Sequence, residues 1–115
     1  MKVYISGPIS GVKDAEDTFS TAVEYLTFLG YSPLNPMDIP APKVEGLFVQ
    51  DSKFSLEKRE LWAYYMKRAV KMLMDADTVY FLEGWETSAG AKIEHQLAKE
   101  LSIPALFETE DINRV

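Results

Sequence analysis

Thr78-Val79-Tyr80-Phe81-Leu82-Glu83-Gly84-Trp85-Glu86-Thr87-Ser88-Ala89-Gly90-Ala91-Lys92-Ile93-Glu94-His95-Gln96-Leu97-Ala98-Lys99-Glu100-Leu101 is the stretch on which the fold turns. Thr78 to Leu82 is a continuous apolar run, consistent with a strand buried on both faces. A turn rich in small residues follows. From Gly90 to Leu101 the spacing becomes that of an amphipathic helix. At roughly 100° per residue, Ala91, Ile93, Leu97, Ala98 and Leu101 share one face. Lys92, His95, Gln96, Lys99 and Glu100 take the other. Glu94 breaks the pattern, because it sits in the middle of the apolar stripe. A buried carboxylate without a partner is costly, so such a residue has a strong partner or a task.

The same alternation extends upstream and downstream. Lys2 to Ser6 reads as a first strand ending in Gly7-Pro8. Ala15 to Leu29 has helical spacing, with Ala15, Phe19, Ala22, Val23, Leu26 and Leu29 on one face and Gly30 as its stop. Tyr31 to Leu34 is a short second strand. Asn35 to Ser55 is irregular, broken by Pro36, Pro40 and Pro42, and its length marks a lid or binding loop. Leu56 to Met74 is the longest helical pattern, with Leu61, Trp62, Tyr65, Met66, Ala69, Val70, Met72 and Leu73 on its apolar face. On this reading Trp62 belongs to the core. Ile103 to Phe107 forms the last strand, and Glu108 to Val115 is a tail.

Strands alternating with helices imply a parallel sheet covered on both faces. The expected architecture is a single domain over residues 1–115. It is α/β, a small doubly wound, flavodoxin-like sheet of four to five strands in the order 2-1-3-4. In such sheets ligands bind beyond the carboxyl ends of the strands, where the order reverses. That point lies between the first and third strands, so Gly7 to Gly11 and Glu83 to Gly90 face it together with Glu94.

Composition narrows the function classes. A net charge of −6 disfavours nucleic-acid polymers and membrane surfaces. An anionic ligand would have to be held by local amides and hydroxyls. Zero Cys and one His leave no thiolate or His-rich metal centre, and no cofactor is implied. No apolar run approaches the ~20 residues of a membrane span, and no signal-peptide pattern opens the chain. The expected location is the cytoplasm.

Each candidate residue has a structural reading beside a functional one. Ser6-Gly7-Pro8-Ile9-Ser10-Gly11 forms a tight turn or a nest of amides for an anion. Ser88 caps the following helix or holds a phosphate at its N-terminus. Tyr4 is a hydrogen-bond partner for Glu94 from the first strand. Trp85 stacks on a planar base or packs in its loop. His95 is solvated on the polar face, and the Lys58-Arg59 and Lys67-Arg68 pairs are solvated helix charges.

Tyr4-Ile5-Ser6-Gly7-Pro8-Ile9-Ser10-Gly11, taken with Gly84-Trp85-Glu86-Thr87-Ser88-Ala89-Gly90-Ala91-Lys92-Ile93-Glu94, resembles the nucleoside 2-deoxyribosyltransferase superfamily. Its small, often phage-encoded members are the nearest in character. The resemblance implies that Glu94 is a nucleophile toward C1′ of a sugar and that Tyr4 positions it. With the two loops read above, the residues expected around the substrate are Gly7, Ile9, Ser10, Gly11, Trp85, Ser88 and Gly90. Ser88 stands where transferases acting on free nucleosides carry Asp and where 5′-monophosphate N-glycosidases carry a phosphate-holding Ser. The implied partner is a small nucleoside or nucleotide, and the implied assembly a homodimer or larger. Two positions depart from the pattern. Ala69 occupies the place of an Asp that serves as the second acid, and Ser10 that of an Arg.

Cleavage of an N-glycosidic bond passes through an oxocarbenium-like state that a carboxylate stabilises or traps. Three readings follow. One is a nucleoside 5′-monophosphate N-glycosidase or deoxyribosyltransferase-like enzyme using Glu94. Another is a nucleotide-binding or regulatory protein that does no chemistry. The third is a glycohydrolase of NAD or a related nucleotide.

Overall fold

Alternation along the first strand, β1 (Lys2–Ser6), divides the molecule into two packed layers. Val3 and Ile5 point to one side of the sheet, where they pack with Phe19, Ala22 and Leu26 of α1 (Ala15–Phe28). Tyr4 points to the other side, into a cluster with Ala69, Leu73 and Ala98. Ala69 and Leu73 belong to α2 (Lys58–Met74) and Ala98 to α3 (Ala89–Glu100). A two-residue period in a strand sends successive side chains to opposite faces, so β1 serves both cores.

The computed structural model describes residues 1–44, 47–48 and 58–109. Besides β1 its strands are β2 (Ser32–Leu34), β3 (Lys43–Val44), β4 (Leu47–Phe48), β5 (Thr78–Phe81) and β6 (Ala105–Phe107). The main sheet has four strands in the order β2-β1-β5-β6, all pairings parallel. Counting only this sheet's strands, the order is the expected 2-1-3-4. Helices cover both faces, as the continuous apolar run of β5 requires. All four of its residues are buried. Tyr80 and the following Leu82 face α1, while Val79 and Phe81 face α2 and α3. Ser6 is in register with Phe81, which sets the ends of β1 and β5 side by side where the sheet order reverses.

Two helices end in the same motif with different residues. After α1, the Gly30 N–H donates to the Thr27 carbonyl at 2.9 Å and the Tyr31 N–H to the Leu26 carbonyl at 3.0 Å. Gly30 takes a left-handed φ of 91°. After α3, Ser102 donates to Lys99 at 3.3 Å and Ile103 to Ala98 at 2.8 Å. These are the paired bonds that satisfy the last carbonyls of a helix. Ser102 adopts φ 57° without glycine's freedom, so this end carries backbone strain.

Several expectations are corrected at the periphery. Leu29, Ile93 and Leu101 are exposed rather than on buried stripes. The buried line of α3 is instead Ala91, Glu94 and Ala98, so the carboxylate lies at the centre of the packed face. Trp62 is not core, since 40% of its surface is exposed. The stretch expected to be irregular from Asn35 holds a short 3-10 turn at Pro36–Asp38 and the antiparallel pair β3–β4. The Asn35 side-chain oxygen accepts from the Met37 N–H at 2.9 Å and starts that turn. The rest of the expected lid (residues 45–46 and 49–55), the start of the long helix (residues 56–57) and the end of the tail (residues 110–115) lie outside the described residues.

Candidate active site

Two hydroxyls on one face of β1 meet the carboxylate of α3. Tyr4 and Ser6 are two residues apart, so their side chains leave the strand on the same side. The Tyr4 hydroxyl donates to Glu94 Oε2 at 2.5 Å, and the Ser6 hydroxyl donates to Glu94 Oε1 at 2.7 Å. Glu94 is 5% exposed and both donors are 1% exposed. Each carboxylate oxygen therefore has one strong donor and keeps lone-pair capacity for a further contact.

Burial raises the Glu94 pKa by penalising its charged form, while the bonds from Tyr4 and Ser6 pull it down in part. Burial also pushes the Tyr4 hydroxyl far above its usual range, and the neighbouring Glu94 charge adds to the effect. Tyr4 thus stays a proton donor at every working pH. The result is a carboxylate with little solvation, fixed in orientation and reachable from a cavity.

That cavity has a volume of about 670 Å³, and Glu94 and Tyr4 line it. Gly7, Ile9 and Ser10 enter from the loop after β1. Gly7 is packed tightly: a Cβ there would lie 2.9 Å from Leu82 Cβ and Cδ1. Ser88, Gly90 and Ala91 form the side given by the start of α3. Ser88 also caps that helix, its hydroxyl oxygen accepting from the Ala91 N–H at 3.2 Å. Capping leaves its own O–H free to donate. A Cβ at Gly90 would stand 3.2 Å from Met66 Sδ, so the glycine lets α3 lie close to α2.

The remaining walls are apolar and less legible in the sequence. Pro36, Met37 and Ile39 come from the segment after β2, and Leu61, Trp62, Tyr65, Met66 and Ala69 from α2. Tyr64 ties the two together, donating its hydroxyl to the Pro40 carbonyl at 3.0 Å. Arg68, expected as a solvated charge, lies over the Tyr64 ring at 3.6 Å and is exposed.

Of the residues singled out from sequence, Tyr4, Gly7, Ile9, Ser10, Ser88, Gly90 and Glu94 meet at this cavity. Gly11 and Trp85 do not line it. Gly11 is an exposed turn residue with φ 75°. Trp85 packs instead on His95 at 4.5 Å between ring centroids, on Phe81 at 5.1 Å and on Phe107 at 6.0 Å. His95 is correspondingly half-buried among aromatic rings rather than solvated. Ser6, read only as the start of the first loop, is not expected from sequence as a partner of Glu94, although its two-residue spacing from Tyr4 places it on the same face.

Residues 1–107 match the family described as Domain of unknown function (DUF4406). The chain belongs to the DUF4406 family. No curated protein matches it. Among solved structures it is similar to a 2-deoxyribosyltransferase from Bacillus psychrosaccharolyticus, with a TM-score of 0.66 at 18% identity over 93% of this chain and 71% of that one. It is also similar to a conserved protein from Enterococcus faecalis V583, with a TM-score of 0.67 at 17% identity over 93% of this chain and 62% of that one. The DUF4406 chain therefore has a nucleoside 2-deoxyribosyltransferase-like fold.

Within that fold the DUF4406 chain carries one cavity-lining carboxylate among its described residues, and no Lys, Arg or His lines the cavity there. Glu86 and Asp75 are exposed and do not line it. No cluster of three His, Cys, Asp or Glu suited to a metal ion occurs among the described residues. No helix among them is long and apolar enough to cross a membrane.

Proposed function

We propose that this protein cleaves the bond between base and sugar in a nucleoside 5′-monophosphate, with Glu94 as the nucleophile. The observation that carries the reading is the buried Glu94 carboxylate, held by Tyr4 and Ser6 in the wall of a cavity. A desolvated, oriented carboxylate is suited to attack on, or stabilisation of, an anomeric carbon as positive charge develops there. The cavity volume falls within the usual range for small-ligand sites. The Ser88 hydroxyl and the free amides opening α3 offer donors for a 5′ phosphate. The apolar wall from α2 offers a surface for a planar base.

The chemistry proceeds in two displacements. One free lone pair of Glu94 bonds to C1′ as the C1′–N bond breaks, and the base departs with the bonding pair and takes a proton from solvent. Water, or a second base, then attacks C1′, the C1′–O bond to Glu94 breaks, and the attacking group's proton goes to solvent, which restores the carboxylate. Water as acceptor makes a glycosidase, and a base makes a transferase.

The decisive experiment incubates the protein with ribo- and deoxyribonucleosides and their 5′-monophosphates and follows free base by chromatography. Base release that needs the phosphate and disappears in Glu94→Ala is expected. No release from any substrate, or full activity in Glu94→Ala, sinks the reading.

Ala69 favours a second reading, in which the cavity only binds a nucleotide. It is a buried alanine on the α2 wall, where an acid could otherwise have protonated the leaving base. This reading predicts saturable nucleotide binding without turnover, and base release that first emerges in Ala69→Asp.

A further inference from the structure

We propose that the base expelled at Glu94 carries a positive charge when bound, so that the substrate is an N-glycoside of a quaternised heteroaromatic, a pyridinium or an N-alkylpurinium. This inference rests on the N-glycosidic reading of the site and adds the chemical class of the leaving group. Two separate features of the cavity support it.

The first is electrostatic. Among the described residues the cavity wall holds one carboxylate and no Lys, Arg or His, and the chain carries a net charge of −6. Trp62 and Tyr65 bring two aromatic rings to the same space, with Met66 beside them. Aromatic rings and a carboxylate in a largely apolar wall attract a flat cation, while the donors for a 5′ phosphate stand apart from that wall, at the start of α3.

The second is chemical. A neutral base leaves poorly unless an acid protonates it as the bond breaks. Where such an acid would face the base from α2, the wall is Leu61, Trp62, Tyr65, Met66 and Ala69. Among the described residues the one carboxyl on the wall, Glu94, is committed to the sugar and bonded by Tyr4 and Ser6. A cationic base needs no proton. As Glu94 bonds to C1′, the electron pair of the C1′–N bond passes to the ring nitrogen, cancels its charge, and the base departs neutral. Water then attacks C1′, the C1′–O bond to Glu94 breaks, and one proton goes to solvent. The sum is one cationic glycoside and one water giving neutral base, free sugar and one proton.

The test compares matched pairs that differ in ring charge. N7-methylguanosine 5′-monophosphate is set against guanosine 5′-monophosphate, each in ribo and 2′-deoxy form. Nicotinamide mononucleotide is set against its dihydro form. Base release is measured by chromatography, with Glu94→Gln as the blank for uncatalysed loss. General acid catalysis contributes about 100-fold or more, so the cationic member of each pair is expected to lead in kcat/KM by at least about 100-fold. Ala69→Asp, which supplies an acid to that wall, is expected to narrow the ratio. The purine and pyridine pairs show which ring class the site takes. A smaller lead, or a faster neutral member, overturns the cationic assignment and leaves base release by Glu94 standing. Absence of release from every compound overturns both.

Discussion

Tyr4→Phe removes one oxygen atom from the core and should make the cost of its loss depend on pH. In the folded protein the Tyr4 hydroxyl donates to Glu94 Oε2 at 2.5 Å, and the carboxylate is 5% exposed. Without it, Oε2 is left buried and without that donor. A hydrogen bond to a charged group contributes about 1.5–3 kcal/mol, against about 1 kcal/mol for a neutral pair. The size of the loss therefore follows the charge on Glu94. Burial raises the Glu94 pKa above its unfolded value, so the folded state binds that proton more tightly. Glu94's contribution to stability is then fully present below the unfolded carboxylate range, near ~4.3, and is lost as pH rises through the folded value. Tyr4 bonds the charged form, so removing it raises the folded pKa further and widens that window. Urea unfolding of wild type and Tyr4→Phe, each at pH 4 and pH 8, isolates the effect because other titrating groups cancel in the difference. The expected penalty is about 1 kcal/mol at pH 4 and about 2–3 kcal/mol at pH 8. An equal penalty at both pH values, or a larger one at pH 4, refutes the claim that Glu94 is the charge Tyr4 supports.

Glu94→Gln should abolish base release by about 10³-fold or more while folding at least as stably as wild type at pH 8, because a buried charge is replaced by a neutral isostere. Single-turnover base release and thermal melting check the two halves, and a marked loss of stability at pH 8 contradicts the second. Ser102→Gly should raise stability by about 0.5–1 kcal/mol, since glycine relieves the left-handed φ at the end of α3; an unchanged or lower urea midpoint argues against strain there. Gly7→Ala should destabilise by about 1–3 kcal/mol, because the new methyl meets Leu82 at 2.9 Å. A melting temperature equal to wild type would show that Leu82 yields without cost.

Much of this molecule could be read from periodicity alone. The strand pattern of Lys2 to Ser6, the apolar run of β5 and the helical spacing between them lead to the parallel sheet and its order. Glu94 was visible because it interrupts a stripe, and Gly7 and Gly90 because small residues cluster at the strand-to-helix turns. Periodicity was less informative at the margins. Ile93, Leu101 and Leu29 fit a helical stripe yet stand in solvent, because a stripe marks direction but not how far the neighbouring element extends. Trp62 fits the stripe of α2 and lines the cavity for the same reason.

The sequence by itself determined the main helices, the order of the four-stranded sheet and the carboxylate that breaks an apolar stripe, because these follow from local spacing and from the cost of burying a charge. Only the tertiary structure decided which groups share that residue's surroundings. Ser6 and Tyr4 meet Glu94 across about ninety residues of chain, and Pro36, Met37, Trp62 and Tyr65 close the cavity from two further segments. Trp85 and His95, near Glu94 in sequence, turn instead toward Phe81 and Phe107. Proximity in sequence sets direction only within a turn or two of backbone. Which side chains touch beyond that depends on how helices pack across the sheet.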